Sequence, residues 1–148
     1  MKRKILIVED NVGLSQIQKD WLSRAGYDAV TAMSEPIARS LIRRMQFDLI
    51  LSDVRLPEGN GISLLEWLRK EKKDIPFIIT TEYVSVPDVV RTIKLGARDY
   101  LPKPVHREHL LELAEDVFHP VATVRKQERQ LFHRTSPIIL KVEKFARL

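Results

Sequence analysis

The chain has 148 residues, 44% of them hydrophobic and 30% charged, which supports one compact domain with a real core and excludes a disordered chain. It carries no cysteine, so disulfide scaffolds, thiolate zinc sites and thiol nucleophiles are ruled out, and its four histidines lack the spacing of a structural metal site. Residues 1–118 hold 18 basic and 18 acidic side chains, so the net +5 lies entirely in residues 119–148, and the neutral body is a poor candidate for a nucleic-acid surface.

Lys4–Val8 is a short continuous apolar run, the pattern of a strand buried on both faces. Leu14, Ile17, Trp21, Leu22 and Ala25 then recur at helical spacing, with Asp10 or Asn11 to cap the start and Gly26 to close the end. Tyr27–Ala32 is a second, weaker strand. Ser34 can cap the next helix, where Ile37, Ala38, Leu41, Ile42 and Met45 share a face. Phe47–Leu51 is a third strand running into Ser52-Asp53, followed by a turn-rich loop over residues 57–61. A helix with Ile62, Leu65 and Leu68 inward comes next. Pro76–Thr80 predicts a fourth strand, Val86–Leu95 a helix ended by Gly96, and Asp99–Leu101 a short fifth strand. A last helix uses Leu110, Leu113, Ala114 and Val117. Strands alternating with helices predict parallel βαβ units and right-handed crossovers. The fold class is α/β: a doubly wound, flavodoxin-like five-stranded parallel sheet with five helices, plus a C-terminal helical tail.

Sheets of this kind place their sites at the carboxyl ends of the strands. Strand one ends in Glu9-Asp10, strand three in Asp53, strand four in Thr80-Thr81, and strand five leads to Lys103. Each has an ordinary structural role available, as a cap, a turn residue or a surface lysine. Together they predict a site, because three carboxylates at one edge repel one another unless a cation compensates them. Oxygen ligands of this kind suit Mg²⁺, and a lysine and a hydroxyl beside them supply donors for an anion. Such a set makes a phosphoryl-transfer site in which a carboxylate is the nucleophile.

In order and spacing, ILIVEDN, DLILSDVRLPEGNG, PFIITT and GARDYLPKP resemble a two-component response-regulator receiver domain over about residues 3–119. The resemblance implies that Asp53 is the phosphoacceptor and that Glu9, Asp10, Asp53 and the backbone carbonyl of Arg55 hold Mg²⁺. It implies that Thr80 donates its hydroxyl to the phosphoryl group, that Lys103 pairs with the phosphoryl oxygens, and that Tyr100 is the switch aromatic. Pro104 resembles the proline whose preceding peptide bond is often cis. Thr81 stands where most receivers carry Ala or Gly, and is expected to narrow access for the phosphodonor. Arg55, two residues after Asp53, and Glu82, two after Thr80, are expected to tune the phosphoryl lifetime. The implied partner is a sensor histidine kinase. The resemblance further implies that the chain turns over no metabolite and catalyses only its own phosphotransfer and autodephosphorylation. Its output is a switched surface, with a homodimer through helix four, strand five and helix five, or through helix five and the linker.

The tail, residues 120–148, reads as a basic helical linker. Ile138, Ile139, Val142, Phe145 and Ala146 form an apolar stripe after Ser136-Pro137. The stretch FHRTSPIILKVEKFARL is similar to the opening of the ATPase domain of nitrogen-regulation-type, sigma-54-dependent activators, which implies an AAA+ ATPase beyond this chain and DNA contact only through a domain absent from it. No apolar run nears the roughly 20 residues of a membrane span, and Met1–Lys4 leads into only a short apolar run before Glu9, so no membrane partner and a cytoplasmic location are expected. Two other classes compete. A receiver-like interaction module would work without phosphate, against which the intact acidic set and Lys103 stand. A metal-dependent phosphohydrolase is disfavoured because Asp53-Val54-Arg55 lacks the second acid of a D-x-D nucleophile motif.

Overall fold

The computed structural model describes residues 2–82 and 85–119; the expectations for residues 120–148 lie outside them. Five strands form one parallel sheet in the order β2-β1-β3-β6-β7, where β1 is Lys4–Val8, β2 Asp28–Ala32, β3 Leu49–Asp53, β6 Phe77–Thr81 and β7 Asp99–Pro102. Five helices connect them: α1 (Val12–Arg24), α2 (Glu35–Arg44), α3 (Gly61–Lys70), α4 (Val86–Lys94) and α5 (Arg107–Phe118). The predicted doubly wound α/β class is therefore the observed one.

Strand alternation divides the core in two. Leu6, Val8, Ile50, Phe77 and Ile79 face α2, α3 and α4, meeting Ala38, Ile42, Leu64, Leu65, Leu68 and Val89. Ile5, Ile7, Leu49, Leu51, Ile78 and Leu101 face α1 and α5, meeting Leu22, Leu110, Leu113 and Ala114. The chain passes from one face to the other around β1 and β3, so the ends of these central strands open a crevice at the carboxyl edge of the sheet.

Side-chain caps start the first two helices where the sequence predicts, and a third cap stands at Asn60. Asn11, Ser34 and Asn60 accept backbone N–H bonds from Leu14, Ile37 and Ser63, and so cap α1, α2 and α3. Of the two cap candidates for α1, Asn11 takes the role and Asp10 is left to the crevice.

Three expectations are corrected. The inward face of α1 is Ser15, Gln18 and Leu22, while Ile17 is 48% exposed. The buried positions follow the i, i+3, i+7 row that ends in Leu22, and Ile17, one residue off that row, falls outside it. On α2, Ala38 and Ile42 are buried but Ile37 is exposed, and the acidic Glu35 is buried instead. The loop after Asp53 is not irregular. Arg55–Leu56 (β4) and Gly59–Asn60 (β5) pair as a small antiparallel hairpin across Pro57-Glu58. Glu58 there takes a left-handed φ of 59° and Gly59 a φ of 155°. The Lys103–Pro104 peptide bond is cis, as the resemblance implied.

Candidate functional site

Adjacent parallel strands put Val8 beside Ser52, Asp53 beside Thr80 and Thr81 beside Pro102, so the residues that follow or end these strands meet at one edge. A cleft of about 650 Å³ opens there, walled by Glu9, Asp10, Asp53, Thr81 and Lys103, with Arg55 and Glu82 at its exposed rim. One carboxylate oxygen from each of Glu9, Asp10 and Asp53 lies within 4.8 Å of the others. Glu9 and Asp53 are buried and Asp10 is exposed, so two acids are fixed by the fold and the third faces the opening.

Lys103 is the cation that makes this tolerable. Its ammonium donates to Glu9 Oε1 at 2.7 Å and to Asp53 Oδ2 at 2.8 Å, with only 9% of its side chain exposed. Burial works against the charged lysine, but the hydrogen bonds and charges of Asp53 and Glu9 outweigh it and raise its pKa. Burial pushes the Glu9 carboxyl up, with the Asp53 charge adding to the rise, and the hydrogen bonds from Lys103 and the Asn11 amide only partly offset this. The backbone holds the acids rigidly. The Glu9 N–H donates to the Ala32 carbonyl, the Val54 N–H to Thr80, and the Ser52 hydroxyl to the Asp53 carbonyl. Gly61 must be glycine, because a Cβ there would lie 2.3 Å from the Asp53 carbonyl oxygen.

The two threonines at the end of β6 are placed differently. Thr80 is buried on the sheet face of Ile78 and does not wall the cleft; Thr81, one step along β6 and therefore on the opposite face, does. Strand period alone decides this, since a one-residue slip exchanges the two faces. Thr81 thus brings a hydroxyl to the cleft wall, with Glu82 directly after it. Tyr100 is 7% exposed, packed in the core on the α2–α3–α4 side, and shares a side-chain hydrogen bond with Thr81. Burial raises the Tyr100 pKa, helped by the charges of Asp88 and Asp53 against the Thr81 hydrogen bond.

The donor set fits a hard divalent cation: three carboxylates, two of them buried and one exposed, with Arg55 on the hairpin at the rim. Sequence reasoning missed Glu35, buried at the start of α2 and bonded to the hairpin. As an acid in the first turn of a helix it carries the signature of an ordinary dipole-complementing surface residue.

A doubly wound α/β sheet gathers an acid cluster, a buried lysine and a hydroxyl at its carboxyl edge. The sequence pattern of the response regulator receiver domain matches residues 5–115, and the chain belongs to that family. It is similar to the transcriptional regulatory protein GlrR of Escherichia coli strain K12, with 31% identity over 145 residues, 97% of this chain and 33% of that protein. The transcriptional regulatory protein ZraR of Salmonella typhimurium is 38% identical over 114 residues, 77% of this chain and 26% of that protein. The chain therefore spans about a third or less of the length of these relatives. The crystal structure of a CheY-like response regulator receiver domain protein from Methanospirillum hungatei superposes with a TM-score of 0.76 at 31% identity, covering 80% of this chain and 95% of that one.

Proposed function

We propose that Asp53 accepts a phosphoryl group and that Glu9, Asp10, Asp53 and the Arg55 carbonyl hold Mg²⁺ beside it. The observation that carries this is the 2.8 Å contact between Asp53 and Lys103 in a cleft whose three carboxylates converge within 4.8 Å. A donor, either a phosphohistidine of a sensor histidine kinase or a small phosphodonor, enters in line with an Asp53 oxygen. The new O–P bond forms as the bond to the donor's leaving atom breaks, and the electron pair leaves with the donor. When bound, Mg²⁺ supplies charge neutralisation on the transferring group. Lys103 is already held at Asp53, so it pairs with the incoming oxygens with little reorganisation.

Thr81, rather than Thr80, donates the hydroxyl to the phosphoryl group. Doing so breaks its bond with Tyr100, which couples the cleft to the packing of α4 and β7. Val86, Val90 and Ile93 stand 50%, 40% and 57% exposed on α4, which supports an output through association of the α4–β7–α5 surface, with a second copy as the occupant. Arg55 and Glu82 at the rim set how readily water reaches the aspartyl phosphate. The similarity to GlrR runs over 145 residues and so past α5, which supports reading the tail as the approach to a further domain of a sigma-54-type activator, where DNA contact would reside. Among the described residues no helix is long and apolar enough to cross a membrane.

The test is intact mass after incubation with acetyl phosphate, with and without Mg²⁺, on the wild type and Asp53→Asn. A single Mg²⁺-dependent phosphoryl adduct that the variant lacks is expected. No adduct together with no Mg²⁺ binding would replace the reading with a phosphate-independent interaction module.

A further inference from the structure

Glu35 is the first residue of α2 and only 4% exposed, an unusual place for a carboxylate. Its Oε1 accepts the backbone N–H of Asn60 at 2.9 Å, on the far strand of the hairpin. Its other oxygen pairs with Arg39 one turn along α2, and the Arg39 guanidinium stacks 5.2 Å from the centre of the Trp67 ring. Gly59 leaves the room for this. A Cβ at position 59 would sit 2.0 Å from Glu35 Oε1 and 2.9 Å from its carboxyl carbon, so the carboxylate occupies the space of the missing side chain.

The hairpin is thereby pinned at two points. Near Asp53, the Gly61 N–H donates to the Val54 carbonyl at 2.8 Å; on the α2 side, Glu35 holds Asn60. Arg55 pairs directly with Asn60 in the β4–β5 ladder, so the position of the Arg55 backbone follows that of Asn60. Burying a carboxylate beside a half-exposed arginine is a costly way to fill space, and an apolar side chain at residue 35 would fill it more cheaply. What the carboxylate adds is a directed hydrogen bond to β5, the strand whose Asn60 pairs with Arg55 on β4.

We infer that Glu35 is a positioning residue for the phosphoryl cleft: through Asn60 it holds the β4–β5 hairpin, and with it the Arg55 carbonyl, in place for the cation. The inference rests on the Mg²⁺-dependent phosphoacceptor reading, yet its test reads the metal and the hairpin without requiring phosphotransfer.

The experiment compares wild type, Glu35→Ala, Glu35→Gln and Ser34→Ala by Mg²⁺ titration calorimetry and by amide exchange over residues 54–61. The lifetime of the Asp53 adduct is followed alongside. Loss of a group that orients a metal ligand weakens metal binding by roughly tenfold or more, and that is the expectation for Glu35→Ala. Its hairpin amides should exchange faster while the sheet amides stay protected. Glu35→Gln keeps an acceptor for Asn60 and should recover most of the affinity. Ser34→Ala removes the α2 cap without touching the hairpin and should bind Mg²⁺ as the wild type does. If Glu35→Ala unfolds, Glu35→Met, which fills the space but offers Asn60 no acceptor, is compared with Glu35→Gln: the inference requires faster hairpin exchange and weaker Mg²⁺ binding in the methionine variant, and equal values overturn it. A folded Glu35→Ala that binds Mg²⁺ within twofold of wild type overturns the inference. Wild type that binds Mg²⁺ but takes no phosphoryl group overturns the phosphotransfer reading and leaves the hairpin result standing.

Discussion

Thr80 and Thr81 are chemically identical neighbours whose difference is entirely one of facing. Both are 2% exposed, yet only Thr81 walls the cleft. A hydroxyl that donates to a phosphoryl oxygen makes a charge-assisted bond worth about 1.5–3 kcal/mol. Thr81→Ala should therefore slow adduct formation from acetyl phosphate by roughly 10- to 100-fold. Thr80→Ala should leave that rate within twofold of wild type and show its effect as a lower urea midpoint, because it opens a hole in the sheet. Equal rates for the two variants would return the role to Thr80. This pair also marks how far the site was legible in the sequence. Glu9, Asp10, Asp53 and Lys103 could be read from strand ends, since a strand end is legible to within a residue and a carboxylate there has few other uses. A Thr-Thr step at a strand end cannot be resolved by pattern, because both threonines suit a strand and the boundary uncertainty equals the period that separates the faces. Glu35 was invisible for another reason: its burial depends on Gly59, which is 24 residues away and meets it only through the fold.

At the scale of elements, two links join α3 to α4 and differ in kind. Arg69 donates to the carbonyls of Leu95 at 2.7 Å, Lys73 at 2.9 Å and Gly96 at 3.2 Å, closing the C-terminal ends of both helices with one guanidinium. Arg91 and Glu66 form an exposed ion pair across the same helices. The first satisfies carbonyls that the helix ends leave without partners, so Arg69→Ala should cost about 2 kcal/mol in urea unfolding. The second is solvated, so Glu66→Gln should leave the midpoint nearly unchanged at neutral pH. The hydrogen bond from Arg91 lowers the Glu66 pKa, slightly opposed by burial. Whatever stability the pair provides is therefore present above the ordinary carboxylate range and lost as pH falls through the lowered value. A larger loss in Glu66→Gln than in Arg69→Ala would reverse the ranking. The elements themselves were the most legible part of the chain. Continuous apolar runs such as Lys4–Val8 have no alternative as strands at this length, and Asn11, Ser34 and Asn60 announce the helix starts. What pattern could not supply was rotation. The apolar row of α1 contains Ile17, yet the face that meets the core runs through Ser15, Gln18 and Leu22. The hairpin escaped for a similar reason: two-residue strands carry no period, and the tethers that hold the loop, from Glu35 and from Gly61 to Val54, exist only in the fold.

At the scale of the molecule, the site exists only when the sheet does. Lys103 meets Glu9 across 94 positions of sequence and Asp53 across 50, and no local segment brings the three carboxylates together. An unfolded chain therefore has little affinity for Mg²⁺, and the cation acts as a ligand of the folded state. By linkage, Mg²⁺ at 100 times its dissociation constant should raise the unfolding free energy by about 2.7 kcal/mol. Lys103 competes for the same carboxylates, since its ammonium already neutralises part of their charge. Lys103→Met removes that competition and leaves Glu9 and Asp53 facing each other. Without Mg²⁺ the variant should unfold at lower urea than wild type, because two buried acids have lost their counter-charge. At a fixed subsaturating Mg²⁺ concentration it should gain more stability than wild type, because the emptier charge balance binds the cation more tightly. Yet it should accept the phosphoryl group far more slowly, since the pairing cation for the transferring oxygens has gone. Urea unfolding of both proteins with and without Mg²⁺, alongside the acetyl phosphate assay, separates these effects. If Mg²⁺ stabilises the variant less than the wild type, Lys103 assists cation binding instead of competing with it, and the charge balance drawn for the cleft is wrong.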